Sequence, residues 1–202
     1  MDVQVLLYEG FDELDAVGPF EVFATAARAV EQTAGRTATV STRTLSPVDR
    51  VRGSHGLRVV PDGRLAEPDL LVVPGGGWND RAEAGAWAEA ERGDVPLAVA
   101  ACHRRGATVA AVCTGTMLLA RAGLLDGRPA VTHRGAVADL RATDAEVVEA
   151  RVVDDGDVVT AGGVTSGLDL ALHLVAREFG ETVADRVAET VEYERTGEVY
   201  RA

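Results

Sequence analysis

The sequence predicts an α/β fold: a single domain over residues 1–202, with a mostly parallel central sheet flanked by helices. Three observations predict it. Short apolar runs alternate with stretches of helical periodicity along the chain. Two of those runs, Leu70-Leu71-Val72-Val73 and Thr108-Val109-Ala110-Ala111-Val112, lack an alternating polar face, as strands covered on both sides must. The 202 residues are 47% hydrophobic, enough for a sizeable core, and show no repeat, low-complexity segment or linker.

Val3-Gln4-Val5-Leu6-Leu7-Tyr8 reads as a buried first strand. Gly18-Pro19 is expected to open a helix, because proline is favoured in a first turn. Phe20, Phe23, Ala24, Ala27 and Val30 then share one helical face. Thr37 to Leu45 is β-rich, and Val51 to Val60 has strand character on both sides of Ser54-His55-Gly56. Ala82 to Cys102 is Ala-rich and helical, interrupted around Gly93 to Pro96. The strand ending at Val112 runs into Cys113-Thr114-Gly115 and a helix, with Gly123 where a C-cap belongs. Ala130-Val131-Thr132 is a short strand. Val152 to Val159 reads as a hairpin turning at Asp155-Gly156. Helices to Phe179 and from Glu181 to Tyr193 end the pattern, so the chain is expected to close in an acidic helix.

Composition bounds the function. Aromatics are 4%, so the core must be built from Ala, Val and Leu. Net charge is -12, and all 20 basic residues are Arg. That acidity argues against nucleic acid and anionic membrane as partners. It is shared with proteins of salt-loving microbes, while the absence of Lys also fits a GC-rich genome. No membrane span and no basic leader region stand out, which predicts a cytoplasmic protein. Two cysteines make no disulfide framework. With no CxxC and no ligand spacing among His55, His103, His133 and His173, neither a metal nor another cofactor is expected.

Cys113 carries the chemistry. A residue at a tight strand-to-helix turn is lifted out at the carboxyl edge of the sheet, where open α/β sheets bind ligands. Ala111, Thr114 and Gly115 are small enough for such a nucleophile elbow, and a helix start favours the thiolate. The plainer fate of a free cysteine is a small buried hydrophobe. Cys102, in an Ala-rich helix, is read that way. Pro74-Gly75-Gly76-Gly77 follows a buried strand, so the amides of Gly75 and Gly76 could serve as an oxyanion hole beside Cys113; the bland reading is a flexible loop. Asp15 follows the first strand and could exchange a proton with the thiol. Asp12 and Glu13 read instead as helix-start acids. His133 follows a short strand and would suit thiol activation, although a lone histidine more often packs or caps.

In combination and in order, these features resemble the ThiJ/PfpI superfamily. The residues that match are Gly10, Leu14-Asp15 and Gly18-Pro19-Phe20-Glu21-Val22-Phe23; Pro74-Gly75-Gly76; Val112-Cys113-Thr114-Gly115; Ala122-Gly123-Leu124-Leu125-Asp126-Gly127-Arg128; Thr132-His133; and Thr160-Ala161-Gly162-Gly163-Val164-Thr165-Ser166-Gly167-Leu168-Asp169. The resemblance covers nearly the whole chain. It implies a flavodoxin-like sandwich related to class I glutamine amidotransferases, and a homodimer. Leu-Asp followed by Gly-Pro-x-Glu-Val-Phe, with the Cys-Thr-Gly turn, looks most like the isonitrile hydratase branch and like sensor domains of AraC-type regulators. It implies that Cys113 attacks an isocyanide carbon, Asp15 handles protons, Thr114 helps place the site, and Gly75 and Gly76 donate backbone hydrogen bonds. His133 matches a superfamily position whose contact with the cysteine varies among branches. Arg134 stands where the hydratases often carry an aromatic, which alters the expected pocket lining. The alternatives are a glyoxalase or deglycase using the same cysteine, and a small-ligand sensor without turnover. The missing helix-turn-helix region and the negative charge argue against a DNA-binding regulator.

Overall fold

The computed structural model describes residues 1–34 and 37–202. In chain order its elements are β1 (Asp2–Leu6), α1 (Glu13–Ala34), β2 (Thr39–Thr44), β3 (Val51–Arg52), β4 (Arg58–Val59), β5 (Gly63–Arg64), β6 (Leu70–Val73), α2 (Ala86–Arg92), α3 (Asp94–Arg104), β7 (Thr108–Val112), α4 (Gly115–Arg121), β8 (Pro129–Ala130), α5 (Val137–Arg141), β9 (Glu146–Val147), β10 (Val152–Asp155), β11 (Val158–Ala161), α6 (Ser166–Phe179), α7 (Glu181–Thr190) and β12 (Val199–Arg201). The main sheet has the order β12-β10-β11-β7-β6-β1-β2-β5. Every neighbouring pair in it is parallel except the β10–β11 hairpin. The α/β expectation therefore holds. Helices α1, α6 and α7 pack together on one side, and α2, α3 and α4 pack together on the other.

The core is the one the composition demanded. Val5, Leu6, Leu70, Leu71, Val72, Val109, Ala110 and Leu118 are fully buried, and Phe11 is the largest side chain among the fully buried ones. Truncating one of these leucines to alanine costs about 2–5 kcal/mol, because the cavity left behind does not fully collapse.

Register decides where function can sit. Val72 pairs with Val5 and with Ala110, and Ala161 pairs with Val112. The carboxyl ends of β1, β6, β7 and β11 are thus brought to one edge. β1 leads into α1 and on to β2 on one side, whereas β6 lies on its other side, so strand order reverses between β1 and β6. Ligands bind at such switch points in open α/β sheets.

Three local expectations are corrected. The first helix opens at Glu13, not at Gly18-Pro19, which lie within it. The side chain of Asp12 accepts the Leu14 amide at 3.2 Å and so caps the helix earlier. Proline, lacking an amide hydrogen, then leaves a carbonyl of the first turns without its helical partner. The chain does not finish in a helix. α7 stops at Thr190, Gly197 turns the backbone at φ +79°, and Val199–Arg201 runs parallel to β10 as an edge strand. The strand near Ala130 is Pro129–Ala130, shorter than the apolar run.

Candidate active site

Cys113 follows the last residue of β7 and has φ +58°, a left-handed conformation uncommon for a residue with a side chain. Such a conformation costs about 1–3 kcal/mol and persists only where the surroundings over-determine it. They do so here. The Cys113 amide donates to the carbonyls of Gly162 (2.8 Å) and Ala161 (3.1 Å), and its carbonyl accepts the Thr132 hydroxyl at 2.9 Å. Gly115 permits the turn, since a methyl group there would collide with the Val73 carbonyl. The expected elbow is therefore present as geometry.

The sulfur sits in a conflicted environment. Burial, then the charge of Asp15, raises the thiol from its ordinary value to about 12, against hydrogen bonds from the Val164 and Thr114 amides that lower it. The expectation that the helix start favours thiolate is not what the geometry delivers: loss of solvent and a nearby carboxylate outweigh two amides and a seven-residue helix. Val164 itself has φ +33°, an outlying conformation for a β-branched residue, in the segment that covers the thiol.

Asp15 is fully buried in the first turn of α1. Its Oδ2 accepts the Gly75 amide at 2.9 Å, and Oδ1 has no hydrogen-bond partner among the described residues. Burial, then the charge of Asp12, raises this carboxyl to about 8, while the Gly75 amide and the Cys113 thiol pull it down. Asp15 and Cys113 therefore act on each other and titrate as a pair.

The glycine loop is arranged differently from the free donors expected of it. The Gly75 amide is taken by Asp15, and the Gly76 amide donates to Thr114 Oγ1 at 3.0 Å. Gly75 and Gly76 thus fix the carboxyl and the residue after the cysteine, and the amides that face the sulfur are those of Thr114 and Val164. Gly76 has φ +124° and lies against the Gly10 carbonyl, which a side chain would strike. The loop is braced from below by Tyr8, whose buried hydroxyl donates to the carbonyls of Pro74 and Gly75. Burial, then the charges of Asp15, Glu89 and Cys113, keeps Tyr8 well above its ordinary range and so neutral.

His133 is half-buried at the rim. Its Nδ1 accepts the Gly135 amide at 3.1 Å and lies 3.3 Å from Asn79 Nδ2. With Nδ1 accepting, the ring is neutral and protonated at Nε2, in line with burial and Arg134 lowering its pKa. Its ring lies against Gly163, next to Val164. No hydrogen bond joins it to Cys113 among the described residues. Cys102 is buried in α3, away from this edge.

Sequence reasoning passed over three contributors. Tyr8 was legible only as the last apolar residue of the β1 run. Val164 was visible within Gly162-Gly163-Val164, but not as an amide aimed at sulfur. Asp12, read as a capping acid, also raises Asp15 and Cys113. Ligand atoms of Asp12, Glu13 and His55 lie within 4.8 Å of one another. Glu13, however, already accepts hydrogen bonds from Ser54, the His55 amide and ring, and the Leu57 amide, and against burial those of His55 and Leu57 help to bring its carboxyl down to about 2. This set is closed upon itself rather than open to an ion.

A strained cysteine at the carboxyl edge of a parallel sheet, with a buried carboxyl beside it, defines the class of cysteine-elbow α/β proteins. Residues 1–177 match the DJ-1/PfpI family, and the chain belongs to that family. It is 32% identical over 197 residues to an isonitrile hydratase of Pseudomonas putida, a match covering 96% of this chain and 78% of that one. An HTH-type transcriptional regulator of Pseudomonas aeruginosa is 33% identical over 151 residues, which is 72% of this chain but only 39% of the regulator. Among solved structures, a ThiJ/PfpI family protein from Pseudomonas syringae superposes with TM-score 0.79 at 30% identity, covering 96% of this chain and 76% of that one. No helix among the described residues is long and apolar enough to cross a membrane.

Proposed function

We propose that the chain is a cysteine-dependent hydratase of small isocyanides, converting R–N≡C and water to the N-substituted formamide. The observation that carries this reading is the coupled Cys113–Asp15 pair at the switch point. A neutral thiol must lose its proton as it attacks, and a carboxyl raised to about 8 is suited to take up and return one near neutral pH. The similarity to an isonitrile hydratase over nearly the whole chain supports the choice of substrate.

Cys113 adds to the terminal carbon, forming C–S as the carbon gains a proton by way of Asp15, which gives R–N=CH–S–Cys113. Water adds to that carbon, with Asp15 carrying the proton. The C–S bond then breaks, releasing R–NH–CHO and restoring the thiol. The Thr114 and Val164 amides stabilise sulfur as it gains and loses charge. Thr114 holds the Gly76 loop in place, and His133 shapes the rim without taking the thiol proton. A homodimer in the cytoplasm is part of this proposal; sedimentation at about twice the 21.1 kDa chain mass supports the dimer, and sedimentation as a monomer removes it.

The test is a comparison of p-nitrophenyl isocyanide with methylglyoxal. Formamide production that disappears in Cys113→Ala supports the hydratase. Turnover of methylglyoxal alone replaces it with a glyoxalase or deglycase. Turnover of neither, with tight binding of a metabolite, replaces it with a sensor, the role suggested by the regulators that match part of the chain.

A further inference from the structure

Two concavities are lined by residues that bond Cys113, and they differ in which part of it those residues hold. A groove of about 950 Å³ is lined by Thr132, Gly162 and Gly163 together with the charged residues Arg134, Arg151, Arg201, Glu149 and Glu198. Thr132 and Gly162 bond the carbonyl and amide of Cys113, so this groove meets the backbone of the elbow. A cavity of about 480 Å³ is lined by Asp12, Glu13, Leu14, His55, Leu57 and Val164. Val164 is the residue whose amide faces the sulfur. The smaller cavity therefore adjoins the residue whose amide covers the reacting atom, and Asp12, whose charge reaches that atom, lines it as well.

We infer that this cavity holds the substituent of the substrate and selects compact, uncharged, apolar groups over anionic ones. The inference rests on the cysteine-nucleophile reading above. Leu14 and Leu57 are 39% and 48% exposed, apolar walls with nothing over them in the described chain. Glu13 and His55 lie 2.7 Å apart, and the Glu13 hydrogen bond raises His55, so that the protonated imidazole offsets the carboxylate. Asp12 has no ion-pair partner among the described residues. Its charge reaches the thiol, since it is one of the groups that raise Cys113, and it raises Asp15 and His133 as well. A field that disfavours a negative sulfur also disfavours a carboxylate brought up to that sulfur. Wall chemistry and charge thus agree on an alkyl or aryl substituent without an acid group.

The test uses alkylation of Cys113 in a Cys102→Ser background, which needs no turnover. Iodoacetamide and iodoacetate match in size and differ by one negative charge. Relative to the ratio for free cysteine at the same pH, the protein is expected to favour iodoacetamide by about tenfold or more, a charge effect at partly buried range. Asp12→Asn, which keeps a helix-capping side chain, is expected to narrow that ratio severalfold. Leu57→Trp, at a half-exposed position, is expected to slow N-phenylmaleimide more than iodoacetamide. A ratio equal to that of free cysteine, or one unmoved by Asp12→Asn, overturns the inference. If the ratios behave as expected but no isocyanide is hydrated, the hydratase reading falls and the pocket assignment stands. If isocyanide is hydrated with a flat ratio, the reverse holds.

Discussion

The Gly75 amide donates to Asp15 Oδ2 at 2.9 Å, and among the described residues no other backbone amide donates to that carboxyl. One oxygen is anchored, and the other, Oδ1, is buried without a hydrogen-bond partner among the described residues. A buried acid held this way resists ionising, and that resistance has consequences that can be measured.

The first concerns stability. The folded-state pKa of Asp15, about 8, lies above the ordinary 3.8. Between these values the folded protein binds a proton that the unfolded chain has lost, so this group's contribution to stability falls as pH rises from about 4 to about 8. Asp15→Asn keeps an acceptor for Gly75 and removes the ionisation. It is expected to match the parent below pH 4 and to exceed it by roughly 3–6 kcal/mol above pH 8. Urea denaturation across that range checks it, and a difference that does not grow with pH contradicts the assignment.

How much of this was legible beforehand differs between strands and protons. The runs Leu70–Val73 and Thr108–Val112 appear as strands at the boundaries read from the residues, because a continuous apolar run fully buried in a parallel sheet has few other places to go. Cys113 was legible for a related reason: a small-residue turn between such a strand and a helix has one geometry. Pro19 misled, since its helix-opening habit lost to the Asp12 cap upstream. Val199–Arg201 was missed because a three-residue edge strand has too short a pattern to separate from loop. The amides of Gly75 and Gly76 looked free because sequence shows no partners; Asp15 and Thr114, distant in sequence, claim them. The state of the thiol was beyond reach, being a balance of burial against charge.

The second prediction concerns pH and rate. If the active pair is the one that has lost a single proton, hydration should rise about tenfold per pH unit below about 8 and level off above it. Asp15→Asn should remove that rise and lower the plateau by about 10²–10⁴-fold, the usual contribution of a positioned acid or base. A pH profile of kcat/KM in both proteins decides it; a rise that survives in Asp15→Asn assigns the proton to another group.

Thr114→Val tests the loop. The variant leaves the buried Gly76 amide without its acceptor, an unsatisfied donor costing about 1–3 kcal/mol. Thermal unfolding should reveal that loss, and Thr114→Ser should restore most of it. An unchanged melting temperature in Thr114→Val would show that the Thr114–Gly76 bond does not hold the loop.

A fourth prediction concerns the segment that carries the Val164 amide. Arg151 donates to Asp169 at 2.5 Å and to Thr165 Oγ1 at 3.1 Å, and its carbonyl accepts the Gly162 amide at 3.0 Å. It thus ties both ends of Gly162–Thr165 over Cys113. Arg151→Met should slow Cys113 alkylation and move its pH midpoint upward, because the Val164 amide no longer opposes burial of the thiolate. Circular dichroism establishes that the fold survives, and an unshifted midpoint removes Arg151 from the positioning of that amide.

The central claim is that Cys113 forms and releases a bond to the isocyanide carbon with Asp15 moving the proton. The most direct measurement is intact-protein and peptide mass spectrometry after acid quenching during turnover of p-nitrophenyl isocyanide. The account predicts an adduct equal to the added substrate, located on Cys113 and absent in Cys113→Ala, which makes no formamide. Formamide produced at an undiminished rate by Cys113→Ala, with no adduct on the parent protein, would contradict it.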